Sequence, residues 1–243
     1  MDRGSTTASP LQKHAQVFGA SPSPRVKTDT GQLGAPSRGA PAGAVQQRVV
    51  SMNPQWLAGP WNGGWALDLH TVSSTKLPDD SFNTKRTDIG ELLYQLKYRQ
   101  DSSKAEPLAE AAARYLSSLK VFPYLAAIVP IPPSQEADRK FQPVPYLAVR
   151  IGQKAGLPYA LDYLEKLIMT GALKGMEDLQ ARAEALEGAF AVADDRFAGS
   201  QVLLFDDLYR SGQTLSAANR VLKTQGKVSK VFVLTLTKTR TKR

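Results

Sequence analysis

Apolar and polar positions alternate with recognisable periods only from about residue 55 onward, and there they predict helices and strands in turn. Residues 65 to 72 (WALDLHTV) alternate with the two-residue period of a half-buried strand, and residues 88 to 98 (DIGELLYQLKY) carry apolar positions at helical spacing behind the acidic Asp88. Residues 107 to 119 predict a second helix with Pro107 in its first turn, where a missing N–H costs nothing. The run from Leu125 to Ile131 is short, continuous and bounded by prolines, as a strand covered on both faces would be. A third helix is predicted over residues 144 to 155, closed by Gly156, followed by a short strand over 159 to 164. Residues 201 to 206 read as a strand, 215 to 224 as a helix and 231 to 237 as a last strand. Strands separated by helices imply a mostly parallel sheet with right-handed crossovers, whose ligands bind beyond the carboxyl ends of the strands.

The stretch from residue 202 to 214, VLLFDDLYRSGQT, joins this pattern to chemistry. Four apolar residues lead into Asp206 and Asp207, and a short loop then reaches Ser211, Gly212, Gln213 and Thr214 at the start of a helix. A loop glycine lets backbone amides come close to an anion, and a helix presents its positive end to it. Paired carboxylates suit sugar hydroxyls or a hard cation such as magnesium. The two hydroxyls would suffice to cap the helix, but capping explains neither aspartate.

Composition narrows the rest. The chain has 243 residues with 42% hydrophobic content, and it lacks a run long and apolar enough to span a bilayer or an apolar leader, so a cytoplasmic location is expected. It has no cysteine and two histidines, His14 and His70, which excludes thiolate metal sites and makes structural zinc improbable. The net charge is +9, and after Asp207 there is no acidic residue. Nine basic residues follow: Arg210, Arg220, Lys223, Lys227, Lys230, Lys238, Arg240, Lys242 and Arg243. Such a region suits a polyanionic substrate or nucleic acid, or else simply solvates a surface. Residues 1 to 54 are rich in Gly, Pro, Ser, Ala and Gln with Phe18 as their single aromatic before the tryptophans, a composition expected to stay disordered, and Met52 offers an alternative start. The folded domain is expected over residues 55 to 243.

The spacing of Asp206, Asp207, Ser211, Gly212 and Thr214 behind a strand resembles the type I phosphoribosyltransferases. Further features resemble their ComF-like branch over roughly residues 65 to 238: Leu96-Lys97-Tyr98 ending a helix, Val129-Pro130-Ile131-Pro132, Arg139 to Gln142, and Gln180, Arg182 and Gly188-Ala189-Phe190. ComF-like proteins often carry an N-terminal four-cysteine zinc ribbon, which this chain lacks. They usually read Arg-Gly-Phe-Asn where this chain has Arg139-Lys140-Phe141-Gln142.

The resemblance implies an α/β fold, a mostly parallel twisted sheet flanked by helices with a small hood from the N-terminal part of the domain. It implies a transferase that moves ribose 5-phosphate from phosphoribosyl diphosphate to a nitrogen nucleophile, releasing pyrophosphate. Asp206 and Asp207 would act on the ribose hydroxyls and on a magnesium cofactor, directly or through its water shell. Arg210, Ser211, Gly212, Gln213 and Thr214 would bind the 5-phosphate, and Ser134, Arg139 and Lys140 the pyrophosphate. Lys97 and Arg182 are further candidates; as ordinary surface features they would be a helix-terminal cation and one half of an exposed ion pair. Partners would be a nucleobase or other amine acceptor and a second copy in a homodimer. Purine-salvage members often have aspartate at the position of Arg210, and an arginine cannot accept a proton, so that form of salvage is disfavoured. Two other readings stay open: a competence protein binding single-stranded DNA, and a sensor that binds a nucleotide or phosphoribosyl diphosphate without turnover. Only Tyr209 and Phe232 interleave the basic region, so base stacking has little support.

Overall fold

A computed structural model describes residues 49–133, 141–167 and 188–240. Its centre is a five-stranded sheet in the order β1-β2-β9-β8-β5, built from β1 (Gln55–Trp56), β2 (Gly63–Leu69), β5 (Leu125–Pro130), β8 (Gln201–Tyr209) and β9 (Lys230–Lys238). β2, β9, β8 and β5 are mutually parallel, and only the two-residue β1 runs antiparallel, at the edge. The carboxyl ends of β2, β9 and β8 are in register: Leu69 pairs with Lys238, and Lys238 with Tyr209.

The middle stretches of the inner strands are continuously apolar because both faces are covered. Leu203, Phe205, Leu234 and Leu236 pack with Ile89, Leu93 and Leu96 of α1 (Asp88–Tyr98), with α2 (Ala105–Ser118) and with Leu147 and Ile151 of α3 (Pro143–Ala155). Val202, Leu204, Val231 and Val233 face the other way, onto Leu215, Ala218 and Leu222 of α4 (Gln213–Thr224). Two faces of one strand thus serve two cores, as the two-residue period requires.

The elements begin and end largely as the sequence predicts. α1 has the expected bounds; Thr87 caps it, accepting from the Gly90 amide at 3.0 Å while donating to the Leu69 carbonyl at 2.6 Å. α3 is closed by Gly156 in the left-handed region (φ 67°). Three expectations need correction. The stretch from 65 to 72 is two strands, β2 and β3 (Thr71–Lys76), separated at His70. Residues 159 to 164 make no continuous strand: Tyr159 forms an isolated bridge to Ile128, and Leu164 starts β6 (Leu164–Lys166), which pairs with β7 (Phe190–Val192). β8 continues past Asp206 to Tyr209, because β9 pairs with it residue by residue as far as Lys238.

β3 and β4 (Phe82–Arg86) form a separate antiparallel hairpin. It leaves the body just after β2 and rejoins it at Thr87, so it rises from the carboxyl end of the sheet, where a small N-terminal hood would stand. Among the described residues no helix is long and apolar enough to cross a membrane.

Candidate functional site

The carboxyl end of β8 carries the two aspartates and leads directly into α4. Being successive residues of an extended strand, Asp206 and Asp207 project from opposite faces. Asp207, on the face of Phe205, meets Lys97 from the last turn of α1, with 2.7 Å between Lys97 Nζ and Asp207 Oδ2. This pair is largely removed from water, the two side chains retaining 19% and 8% of their exposure. Lys97 therefore belongs to the acidic pair's surroundings rather than being an idle helix-terminal cation.

Asp206 lies on the face of Leu204, half-buried, and its Oδ1 accepts from the Asp207 amide at 2.8 Å. Loss of hydration and the neighbouring Asp207 charge push its carboxyl up to about 7, while the Asp207 amide, Lys97 and Lys166 oppose the rise. A carboxyl in this state exchanges its proton near neutrality, so it can donate to a hydroxyl as well as accept from one.

Beyond β8 the chain turns at Gly212 (φ 78°), a left-handed conformation that L side chains rarely adopt. A Cβ there would sit 2.8 Å from the Tyr209 hydroxyl. Tyr209 has little room to yield, since its ring packs edge-on to Trp61 and its hydroxyl donates to the Ala58 carbonyl at 3.4 Å. Gly212 is the N-cap residue of α4, and no side chain caps this end. The first turn, Gln213 and Thr214 onward, contains no acidic residue. A helix N-terminus of this kind turns its first amides and the positive end of its dipole toward the loop. Arg210 and Ser211 are exposed on the loop, and Gln213 and Thr214 are half-buried.

A residue that sequence patterning passes over completes the constellation. His70 follows β2 at the same end of the sheet, its amide donating to the Lys238 carbonyl at 2.8 Å. Gly90 of α1 packs against its carbonyl so closely that a Cβ would come within 2.1 Å of the oxygen. The imidazole Nδ1 is 3.1 Å from Thr237 Oγ1, and the ring lies in the fields of Arg86, Lys97, Arg210 and Asp207. The signal in the sequence is positional: a histidine at the break between two strand-like stretches.

Ser134, Arg139, Lys140 and Arg182 lie outside the described residues, as does Gln180. The segment holding the first three starts at the end of β5, where the Ile131 amide donates to the Phe205 carbonyl next to Asp206. The basic C-terminal region divides between the two ends of the sheet. Lys227 and Lys230 stand at the amino end of β9 and Arg210 and Lys238 at its carboxyl end, separated by about 26 Å at the usual rise of a strand. Lys223 and Lys238 are already engaged, donating to the Ser229 and Trp56 carbonyls.

The donor set does not suit a metal chelated directly by both aspartates, because they face opposite sides and Asp207 already holds an ammonium. Among the described residues no cluster of three or more acidic, histidine or cysteine side chains is arranged to hold a metal ion.

No model of a known protein family matches the chain, and no curated protein sequence matches it. Solved structures do. Orotate phosphoribosyltransferase from Aeropyrum pernix is 16% identical over 68% of this chain and 73% of its own, with a TM-score of 0.39. Glutamine phosphoribosylpyrophosphate amidotransferase from B. subtilis, in complex with ADP and GMP, is 15% identical over 65% of this chain and 34% of its own, with a TM-score of 0.43. Adenine phosphoribosyltransferase from Saccharomyces cerevisiae is 14% identical over 68% and 83% of the two chains, with a TM-score of 0.34.

Proposed function

We propose that this chain binds phosphoribosyl diphosphate at the carboxyl end of β8 and transfers its ribose 5-phosphate to a nitrogen nucleophile, releasing pyrophosphate. The observation that carries the reading is the left-handed turn at Gly212, which sets an uncapped helix N-terminus directly behind a pair of aspartates. That arrangement offers an anion cradle and hydroxyl-binding carboxyls one loop apart. In this reading the amides of residues 212 to 214, with the Ser211 and Thr214 hydroxyls and the Arg210 guanidinium, hold the 5-phosphate.

Asp206 takes the ribose hydroxyls, its proton exchanging near neutral pH. Bond breaking at the anomeric carbon leaves positive charge on the ring, which the Asp206 carboxyl, on the same face as the ribose and ionising near neutral pH, stabilises. On the opposite face Lys97 neutralises Asp207 and holds the end of β8 that presents Asp206. A magnesium ion would supply Lewis acidity to the leaving group, with Asp206 as the carboxylate that would help hold it, since direct chelation by the pair does not fit. Ser134, Arg139 and Lys140 are proposed for the pyrophosphate on the strength of the sequence resemblance, as is the ComF-like branch itself.

The test is calorimetric titration with phosphoribosyl diphosphate, with and without magnesium, on wild type and on Asp206→Asn/Asp207→Asn. Micromolar binding by wild type, weakened tenfold or more in the double variant, is the expected result. Absence of binding by wild type under both conditions overturns the reading.

A further inference from the structure

The proposed transfer leaves one proton without a destination. The nucleophile's nitrogen forms its bond to the anomeric carbon as the bond to the pyrophosphate oxygen breaks, the pyrophosphate leaving with that electron pair. The nitrogen then carries a surplus proton, which a neighbouring group must accept. Arg210 cannot take it at any ordinary pH. Asp207 is engaged by Lys97 on the far side of the sheet from Asp206. Asp206 already accepts from the Asp207 amide and is assigned to the ribose hydroxyls.

We propose that His70 is the proton acceptor of this site, receiving the nucleophile's proton on Nε2 while Thr237 holds Nδ1 in its protonated form. The inference rests on the phosphoribosyl-transfer reading above. Three observations support it. The first is place: the backbone of His70 is fixed at the carboxyl end of β2, by its amide on the Lys238 carbonyl and by Gly90 against its own carbonyl, in register with Tyr209. The second is tautomer. The Thr237 hydroxyl donates to the Asp207 carbonyl at 3.5 Å, so it is left to accept from His70 Nδ1–H at 3.1 Å. That leaves the lone pair on Nε2, which has no hydrogen-bond partner among the described residues. The third is charge. Arg86 from β4, Lys97 from α1 and Arg210 from the loop all disfavour an imidazolium, with burial the largest influence and Asp207 the single opposing one. These influences hold the resting ring in its neutral form, the form that carries an acceptor lone pair. The link through Thr237 to the Asp207 carbonyl also ties the acceptor to the acidic strand.

The direct test is the tautomer of His70 in the wild-type protein, read from long-range 15N–1H ring correlations through a pH titration. Nδ1 protonated and Nε2 bare at pH 7 is expected; the opposite tautomer, or a charged ring at pH 7, overturns the assignment. The kinetic test measures pyrophosphate release from phosphoribosyl diphosphate with adenine, hypoxanthine, uracil, orotate and ammonium as nitrogen probes. His70→Gln should bind phosphoribosyl diphosphate within about threefold of wild type but turn over 100-fold or more slowly with a probe that wild type uses. It should also lose the acid limb of the pH profile of kcat/KM. Thr237→Val, which leaves the imidazole in place, should lower turnover with the tautomer no longer fixed, and serves if the glutamine variant fails to fold. Turnover by His70→Gln within threefold of wild type, or an unchanged acid limb, overturns the proposal. A wild-type protein that binds phosphoribosyl diphosphate yet releases pyrophosphate with none of the probes also overturns it, leaving the binding site standing. A wild-type protein that does not bind at all removes the reading beneath it.

Discussion

Replacing Asp206 with asparagine should stabilise this protein at neutral and higher pH while leaving it nearly unchanged in acid. Burial and Asp207 raise the Asp206 carboxyl from its ordinary 3.8 to about 7. Between those two values the folded chain keeps a proton that the unfolded chain has released. The folded state binds more protons, so the free energy of unfolding falls as pH rises through the window. Each pH unit of displacement corresponds to about 1.4 kcal/mol, so the full ceiling is about 4 kcal/mol, reached above pH 7. Between pH 5 and pH 8 the same linkage gives about 2 to 3 kcal/mol. Asparagine keeps an oxygen for the Asp207 amide and removes the charge. Urea denaturation of both proteins at pH 5 and pH 8 is the assay. The variant's advantage should grow by about 2 kcal/mol or more between the two. His70 acts with the opposite sign: its lowered pKa means stability is lost as pH falls below 6.5, but equally in both proteins, so it cancels. An advantage that stays constant within about 0.5 kcal/mol across the range would refute the claim that Asp206 is held near neutrality by its surroundings.

Gly212→Ala combines a strained backbone with a Cβ 2.8 Å from the Tyr209 hydroxyl, so it should destabilise the fold by about 1 to 3 kcal/mol. It should also weaken phosphoribosyl diphosphate binding; a loss below about 0.5 kcal/mol in denaturant melts with unchanged titration would show the turn to be permissive. Lys97→Met leaves the largely buried Asp207 unpaired and should cost about 3 kcal/mol, part of which Asp207→Asn restores in the double variant. A double-mutant cycle with coupling under about 0.5 kcal/mol would show that the pair contributes no specific interaction.

The mostly parallel sheet, the helix bounds of α1 and the glycine turn after β8 are legible because each rests on local chemistry: apolar runs, a helical period, a glycine where only glycine fits. What sequence left unread depends on partners far along the chain. Asp206 and Asp207 lie inside β8 rather than beyond it because Thr235 and Thr237 of β9 continue the pairing past the apolar run. The β3–β4 hairpin is polar on both sides, so it has no hydrophobic alternation to betray it. Residues 159 to 164 carry apolar side chains without forming a continuous strand because Ala160 and Tyr163 fill the core beside α4, and composition alone does not distinguish that burial from a strand. Lys97 was legible as a candidate, but its bond to Asp207 joins residues separated by most of the domain, and no local pattern encodes it. His70 was hidden for the same reason: its importance comes from Thr237, and their proximity exists only once β2 and β9 lie side by side.

The position of β9 has a consequence for how the molecule comes into being. It follows every other described strand in the chain, yet it lies between β2 and β8 and is hydrogen-bonded to both. During synthesis, β8 and β5 can pair as soon as they emerge, whereas β2 has no parallel partner until the ribosome has delivered residues 230 to 238. His70 and the two aspartates consequently come together in a single late event, and a nascent chain that stops before residue 230 has a half-sheet with an open edge. Such edges invite aggregation. Premature termination before β9 should therefore yield insoluble protein rather than a partly folded domain.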